Sequence, residues 1–496
     1  MIRHKLWLCL IALTFVPFLQ AEVSLPVVFS DGMLLQRDVP IHVWGRSVAA
    51  ENVTVAFRGE TRSTVADELG RWQLYLSPAS AGGPYELAVS GSNRIVIHNV
   101  LVGDVWIASG QSNMEFKVRE LENPQTEIAA AKFPQIRIMR VQHAYSEYPL
   151  TDAVADQRWA EVSPESVPEF SAVAYYFARE IHQKEKVPVG IIESNWGGTV
   201  AEAWTSMDAL SADAALMPVF ASRARMMDAE AENLLIEPIH QAEIAKAKSA
   251  GLPLPKYPWH PVAASWGPAQ LYNAMIAPLT PYAIKGVIWY QGESNSKLDR
   301  APHYERLFQT MIRDWRDQWA LGDFPFLYVQ ISNFKSDATE DWATIREAQL
   351  RALGLRNTAM AVTIDIGNPD DVHPKDKVDV GHRLALAARA KVYGESVEYS
   401  GPIARQVTRE GSALRVWFDH AAGLQAKGGP PTSFEIAGAD GKFVSAEAKV
   451  DSGTIVVTNA SVVSPAAVRY GWANSPNCNV VNGAGLPASP FRGESR

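Results

Sequence analysis

"IASGQSNMEF", residues 107–116, is where an apolar strand runs out into a serine held between two amides. The run before it, "VGDVWIA" at 102–108, has the β-branched and aromatic content of a buried strand. Ser112 can then be an ordinary turn residue or helix N-cap. It can equally be the tip of a strand-to-helix corner that exposes a nucleophile. The rest of the chain discriminates. Strand-like runs at 187–193, 284–290, 324–332 and 358–365 alternate with segments of helical period at 171–186, 304–319 and 342–354, and "KVDVGHRLALAARAKVYG" follows as another helix. Alternation of this kind over residues 99–397 predicts an α/β fold, a mostly parallel sheet with helices on both faces.

The flanks differ. Residues 22–98 read as a small β-sandwich of short strands such as "VTVAFRG", "RWQLYLS" and "YELAVSG", divided by Gly, Pro, Ser and Asn turns. Residues 398–496 turn β-rich again, with "ALRVWFDH", "TIVVTNA" and "AAVRYGWAN". An Ala- and Glu-rich stretch at about 205–265 interrupts the alternation and reads as a peripheral insertion. Residues 1–21 have the form of a signal peptide: Arg3, His4 and Lys5, an apolar run, and Ala21 at the cut. The expected location is therefore outside the cytoplasm, in the periplasm of a bacterial source, with no membrane span once the signal is removed.

A length of 496 residues calls for several domains, and 47% hydrophobic with 20% charged residues is ordinary for a folded protein. A formal net charge of -8 without a long basic run argues against a nucleic-acid partner. The chain has two cysteines, Cys9 and Cys478; signal removal leaves Cys478 alone, without an intramolecular disulfide or a Cys-rich zinc site. The 15 tryptophans read mainly as core, with a sugar-binding surface as the alternative.

Functional groups in parallel α/β sheets gather at the carboxyl ends of strands. Here those ends carry "SGQSN" with Ser112, "SNWGGT" with Gly197 and Gly198, "QGESN" with Gln291, Glu293 and Asn295, and "IGNPDDVHPKD" with Asp370, Asp371 and His373. Taken singly, each is a turn, a cap or a loop hydrogen-bonder. Together they supply a nucleophile, oxyanion donors, and a base with its orienting acid. G-x-S-x-G is absent, which sets the chain apart from ordinary α/β-hydrolases. A metal site built from Asp370, Asp371 and His373 lacks further ligand-type neighbours in sequence.

"ASGQSNM", "NWGGT", "YQGES" and "DVHPKDK", in this order, resemble the ordered blocks of the SGNH (GDSL-type) hydrolases, and more closely those of the sialate O-acetylesterases. The likeness extends to "FSDGMLLQRDVPIHVWG", "LYNAMIAPL" and "GLPASPFR", nearly the whole mature chain. The resemblance implies a three-layer α/β/α catalytic domain flanked by β-rich domains. It implies Ser112 as nucleophile, His373 as general base and Asp370 as its orienting acid. The oxyanion donors would be the Ser112 and Gly197 N–H groups and the Gln291 amide, with Gly198 and Asn295 as alternatives. No cofactor or metal is implied.

The expected reaction is removal of O-acetyl groups from sialic acids through an acetyl-enzyme, with Arg346 and Arg140 available for a sialate carboxylate. The alternatives are an acetylxylan-type esterase and a secreted carbohydrate-binding protein without catalysis. An O-acetylated carbohydrate is the expected partner of the esterase readings.

Overall fold

The computed structural model describes residues 22–495, apart from 256 and 258–261 and the side chains of 222–230 and 232. The expected signal segment, residues 1–21, lies outside the described residues. The central sheet contains β1 (Arg94–Gly110), β2 (Phe133–Val141), β3 (Ala155–Val162), β4 (Val189–Asn195), β5 (Gly286–Tyr290), β6 (Phe326–Gln330) and β7 (Thr358–Val362). Its order is β7-β6-β5-β1-β4-β2-β3; all neighbours are parallel except the edge strand β3. The chain leaves β1 to build one side of the sheet, then returns to build the other. The carboxyl end of β1 is therefore the topological switch point, where such sheets open a crevice.

Helices cover both faces, as expected of the SGNH-like class. The serine corner opens α1 (Ser112–Glu115), and the longer helices are α2 (Ala172–Glu185), α3 (Ala301–Trp319), α4 (Trp342–Arg351) and α5 (Lys377–Lys391). Trp106 of β1 meets Phe177 of α2 on one face, ring centroids 5.0 Å apart, and α5 packs beside α2. Trp289 of β5 meets Trp315 of α3 on the other at 5.7 Å, with α4 alongside α3. Trp106, Trp204, Trp289 and Trp315 are fully buried, in line with the core reading of the tryptophans.

Two elements depart from expectation. First, "RIVIHNV" and "VGDVWIA" form one strand of 17 residues, β1, across the anticipated boundary at 98–99. Its first half pairs antiparallel with Gly82–Ser90 and its second half joins the central sheet. Asn99 sits at φ 56, so the strand changes direction there without ending. One continuous hydrophobic cluster accordingly runs from Val23 to Ala388. Second, β2 and β3 were not anticipated. Each is interrupted by charged residues, and β3 at the edge buries only Trp159 and Val162, so neither gives a clean apolar run.

From Ile403 onward the chain is β-rich, with two four-stranded sheets around a second cluster that includes Leu414, Val416, Ile436 and Val468. Arg346 staples this part to the central layer. It is wholly buried and donates to the carbonyls of Ile331, Ala473 and Asn474, at 3.2, 2.9 and 2.6 Å. Its guanidinium is thereby committed to the framework and is not a substrate-binding group. The expected insertion contains the helix Pro218–Ser249.

Asn195, Gly110 and Tyr290 end three adjacent strands in register. Gly110, at φ +136, brings its Cα against the Tyr290 carbonyl, and a Cβ there would collide with it. Gly110→Ala should lower stability by about 2 kcal/mol or more and cut sharply any ester hydrolysis of the kind the resemblance implies. Thermal denaturation and an ester assay on the same preparation check both; an unchanged melting temperature contradicts the steric argument.

Candidate active site

The three level strand ends are tied to one another. The Gln111 N–H donates to the Tyr290 carbonyl (2.9 Å), and the Trp196 N–H to the Gly110 carbonyl (3.1 Å). The Gln111 side-chain oxygen accepts the N–H groups of Gly292 and Ser294 at 3.3 and 3.2 Å. Three of the four sequence blocks are thus locked around one corner. As the first residue of α1, Ser112 has no intrahelical acceptor for its N–H. Its hydroxyl lies 2.8 Å from Nε2 of His373, which comes from the loop between β7 and α5.

In that loop the structure departs from the expected acid. Asn368 accepts the Asp370 N–H on its side chain (3.0 Å) and the Asp371 N–H on its carbonyl (3.3 Å). Asp371 then folds its own carboxylate forward, accepting the His373 N–H at 2.9 Å, with Oδ1 3.8 Å from Nδ1 of the imidazole. Asp370 is exposed and makes no bond to His373. Side chain-to-backbone turns of this kind favour a reach of two residues, so Asp371, and not Asp370, is the carboxylate beside the ring. Burial, and then the Lys377 cation, hold the His373 imidazole below its usual range, against the opposing pull of Asp371, Glu120 and Glu115. The free base of the ring is therefore favoured.

Gly197 lies against Ser112: a Cβ on it would come within 3.3 Å of the serine Cβ. Its N–H donates at 2.6 Å to Oε2 of Glu115, a residue the sequence reading passed over. The other oxygen of Glu115 is 3.5 Å from Nε2 of His143, whose ring stacks on Trp196 with centroids 4.5 Å apart. Gly198 takes φ +74 and accepts the Trp266 indole N–H at 2.7 Å.

Gln291 sits deeper than an oxyanion donor would. It is fully buried, donates to the Thr199 carbonyl (3.2 Å) and Asn295 Oδ1 (2.6 Å), and accepts from the Tyr304 hydroxyl (2.9 Å). Its amide is used to brace the Gly197–Gly198 turn against the end of β5. Asn295 is committed too, accepting the Ala201 N–H at 2.9 Å and donating to Glu202 at 2.8 Å.

Beside α1 a hollow of about 240 Å³ is lined by Glu115, Arg140, His143, Glu193 and Asn195, among others. Arg140 binds Asp156 there at 2.8 Å, and burial pushes the Glu193 carboxyl up to about 7. Among the described residues no group of three or more His, Cys, Asp or Glu is placed to hold a metal ion, and no helix is long and apolar enough to cross a membrane. Cys478 is a free thiol, and burial pushes it up to about 11.

With this geometry in view, a sequence profile described as "Carbohydrate esterase, sialic acid-specific acetylesterase" matches residues 253–390. The sialate O-acetylesterase of Mus musculus is 30% identical over 516 aligned residues, covering 92% of each chain. That of Homo sapiens is 31% identical, covering 76% of this chain and 73% of its own. The chain belongs to the sialate O-acetylesterase family. It is a carboxylic ester hydrolase. The crystal structure of a carbohydrate acetylesterase from Xanthomonas citri superposes with a TM-score of 0.81 at 38% identity, covering 96% of this chain and all of that one.

Two outcomes follow from the loop geometry. The acid limb of kcat/KM should have its midpoint below 6.5, because the free base is the competent form and protonation removes it as pH falls. A pH–rate profile with nitrophenyl acetate checks this; a midpoint at 7 or above contradicts it. Asp371→Asn should lower kcat by about one to two orders of magnitude, less than a closely bonded triad acid because the separation is long, while Asp370→Asn keeps most of the activity. The reverse ranking, measured at saturating substrate, would return the role to Asp370.

Proposed function

We propose that this chain removes O-acetyl groups from sialic acids through an acetyl-enzyme formed on Ser112. The observation that carries the reading is the 2.8 Å approach of the Ser112 hydroxyl to the His373 imidazole at the switch point of the sheet. Ser112 Oγ attacks the acetyl carbonyl as its proton passes to His373 Nε2. Asp371 steadies the ring from the Nδ1 side and offsets the imidazolium charge. The tetrahedral oxyanion accepts from the Ser112 and Gly197 N–H groups, the latter released when Glu115 swings away. His373 gives the proton to the departing sugar oxygen, leaving acetyl on Ser112; it then deprotonates a water that attacks the acetyl carbonyl and returns that proton to the Ser112 oxygen as acetate is released. One such donor is commonly worth about 3 kcal/mol, so the Glu115 carboxylate and the oxyanion are competing for a costly site.

Membership of the sialate O-acetylesterase family supports sialic acid as the sugar. Arg140 in the hollow beside α1 is the cation best placed to meet a sialate carboxylate, in exchange for its partly exposed partner Asp156. The apolar start of the chain supports export, to the periplasm in a bacterial source.

Acetate release should be faster from O-acetylated mucin sialic acids than from acetylxylan, and Ser112→Ala should lower it at least about a thousandfold with an unchanged circular dichroism spectrum. Preference for acetylxylan contradicts the sugar assigned; turnover in the Ser112→Ala protein contradicts the mechanism.

A further inference from the structure

Lys377 is out of place by two ordinary rules. It is the first residue of α5, the end of a helix that disfavours a cation, and its side chain is wholly buried. Two unfavourable terms on one ammonium call for specific partners, and there are few. Nζ donates to Oδ1 of Asn113 at 2.6 Å and lies over the faces of Phe116 and Tyr290, 4.7 and 5.5 Å from their centroids.

The bond to Asn113 has consequences at the far end of that amide. An ammonium only donates, so it requires the amide oxygen. The amide nitrogen is then turned to Oε1 of Glu293 (2.6 Å) and to the carbonyl of Val372 (3.0 Å), both of which only accept. The amide orientation is fixed at both ends. Glu293 is partly buried, its second oxygen is buried without a partner among the described residues, and Lys377 is the cation that acts on its carboxylate across the amide. Asn113 follows Ser112, and Val372 precedes His373. One side chain therefore joins the neighbour of the nucleophile to the neighbour of the base across 259 residues of chain.

We propose that Lys377 and Asn113 are positioning residues: the Lys377–Asn113–Glu293 chain latches the His373 loop to the helix bearing Ser112 and holds hydroxyl and imidazole in contact. This rests on the serine reading of the site. It also bears on the charge near the base. His373 faces acidic groups on its own loop (Asp371), on α1 (Glu115) and just beyond it (Glu120); Lys377 on α5 is the opposing cation. Burial brings Lys377 down to about 7, so it is protonated over the range in which His373 titrates. Its removal should let the imidazolium form at higher pH.

The test uses the full chain with nitrophenyl acetate, kcat being expressed per serine titrated by an organophosphate. Lys377→Met should lower kcat by about thirtyfold or more with KM within about threefold, and should move the acid limb of kcat/KM upward by about half a pH unit. Lys377→Arg should recover part of kcat and return the limb toward wild type, and exposed Lys375→Met should change neither. Combining Lys377→Met with Asn113→Ala should cost no more than the worse single change, as expected of one chain. A kcat within about threefold of wild type, or a loss wholly explained by fewer titratable serines with the acid limb unmoved, overturns the latch. If Lys377→Met does not fold, Asn113→Asp decides: it keeps an acceptor for Lys377 and removes the donor to Val372, so kcat should fall with KM held, and an unaffected kcat overturns the proposal. Activity persisting in Ser112→Ala would bring down the serine reading and the latch together; an inactive Ser112→Ala beside a normal Lys377→Met brings down the latch alone.

Discussion

The contact between the Ser112 hydroxyl and His373 Nε2 spans 261 residues of chain, and most of what surrounds it serves to keep it at 2.8 Å. A serine on the first turn of a four-residue helix has little local structure to fix it. What fixes it is the level ending of β1, β4 and β5, the bonds from Gln111 to the blocks on one side, and the bond from Trp196 to Gly110 on the other. The requirement for glycine at 110 follows from the same closeness, since the Tyr290 carbonyl occupies the space of a Cβ. On the histidine side the loop is held by polar anchors as well as by Ile366 and Val372 against the core: Asn368 under Asp370 and Asp371, and Asn113 against Val372.

Burial sets the electrostatics of the corner. His373 is kept neutral by desolvation before any charge is considered. Glu293 and Lys377 are pushed toward their neutral forms by the same cause, which makes each dependent on the other across the Asn113 amide. Glu115 differs because it is partly exposed; its carboxylate occupies the Gly197 N–H, where the proposed reaction would place an oxyanion. A fixed amide network at the back and a partly exposed carboxylate at the front suit a site that must be rigid toward its own residues and open to an ester.

Much of the site was legible because strand ends in a parallel sheet converge whatever lies between them. Ser112, Gly197 and His373 could be picked out as small or polar residues closing apolar runs, and the alternation of runs foretold both layers of helices. Asp371 could not be separated from Asp370, since only the turn made by Asn368 decides which carboxylate faces the ring. Gln291, expected among the oxyanion donors, and Arg346, named only as an available cation, share one explanation: a polar residue inside an apolar context can face a ligand or brace the backbone, and both brace. Asn113 read only as an amide beside Ser112, and Lys377 carried no signal of its own, because a lysine at the start of a helix reads as solvated until its burial is seen. The strands β2 and β3 escaped notice because charged side chains break their alternation.

The central claim is that acetyl passes through the Ser112 oxygen, and the most direct measurement is to catch it there. Wild-type enzyme mixed with excess nitrophenyl acetate, quenched in acid during the first turnovers and digested, should yield one acetylated peptide, the one containing Ser112, with the label lost on a chase in neutral buffer. Acetyl found on another residue in place of Ser112 would contradict the account.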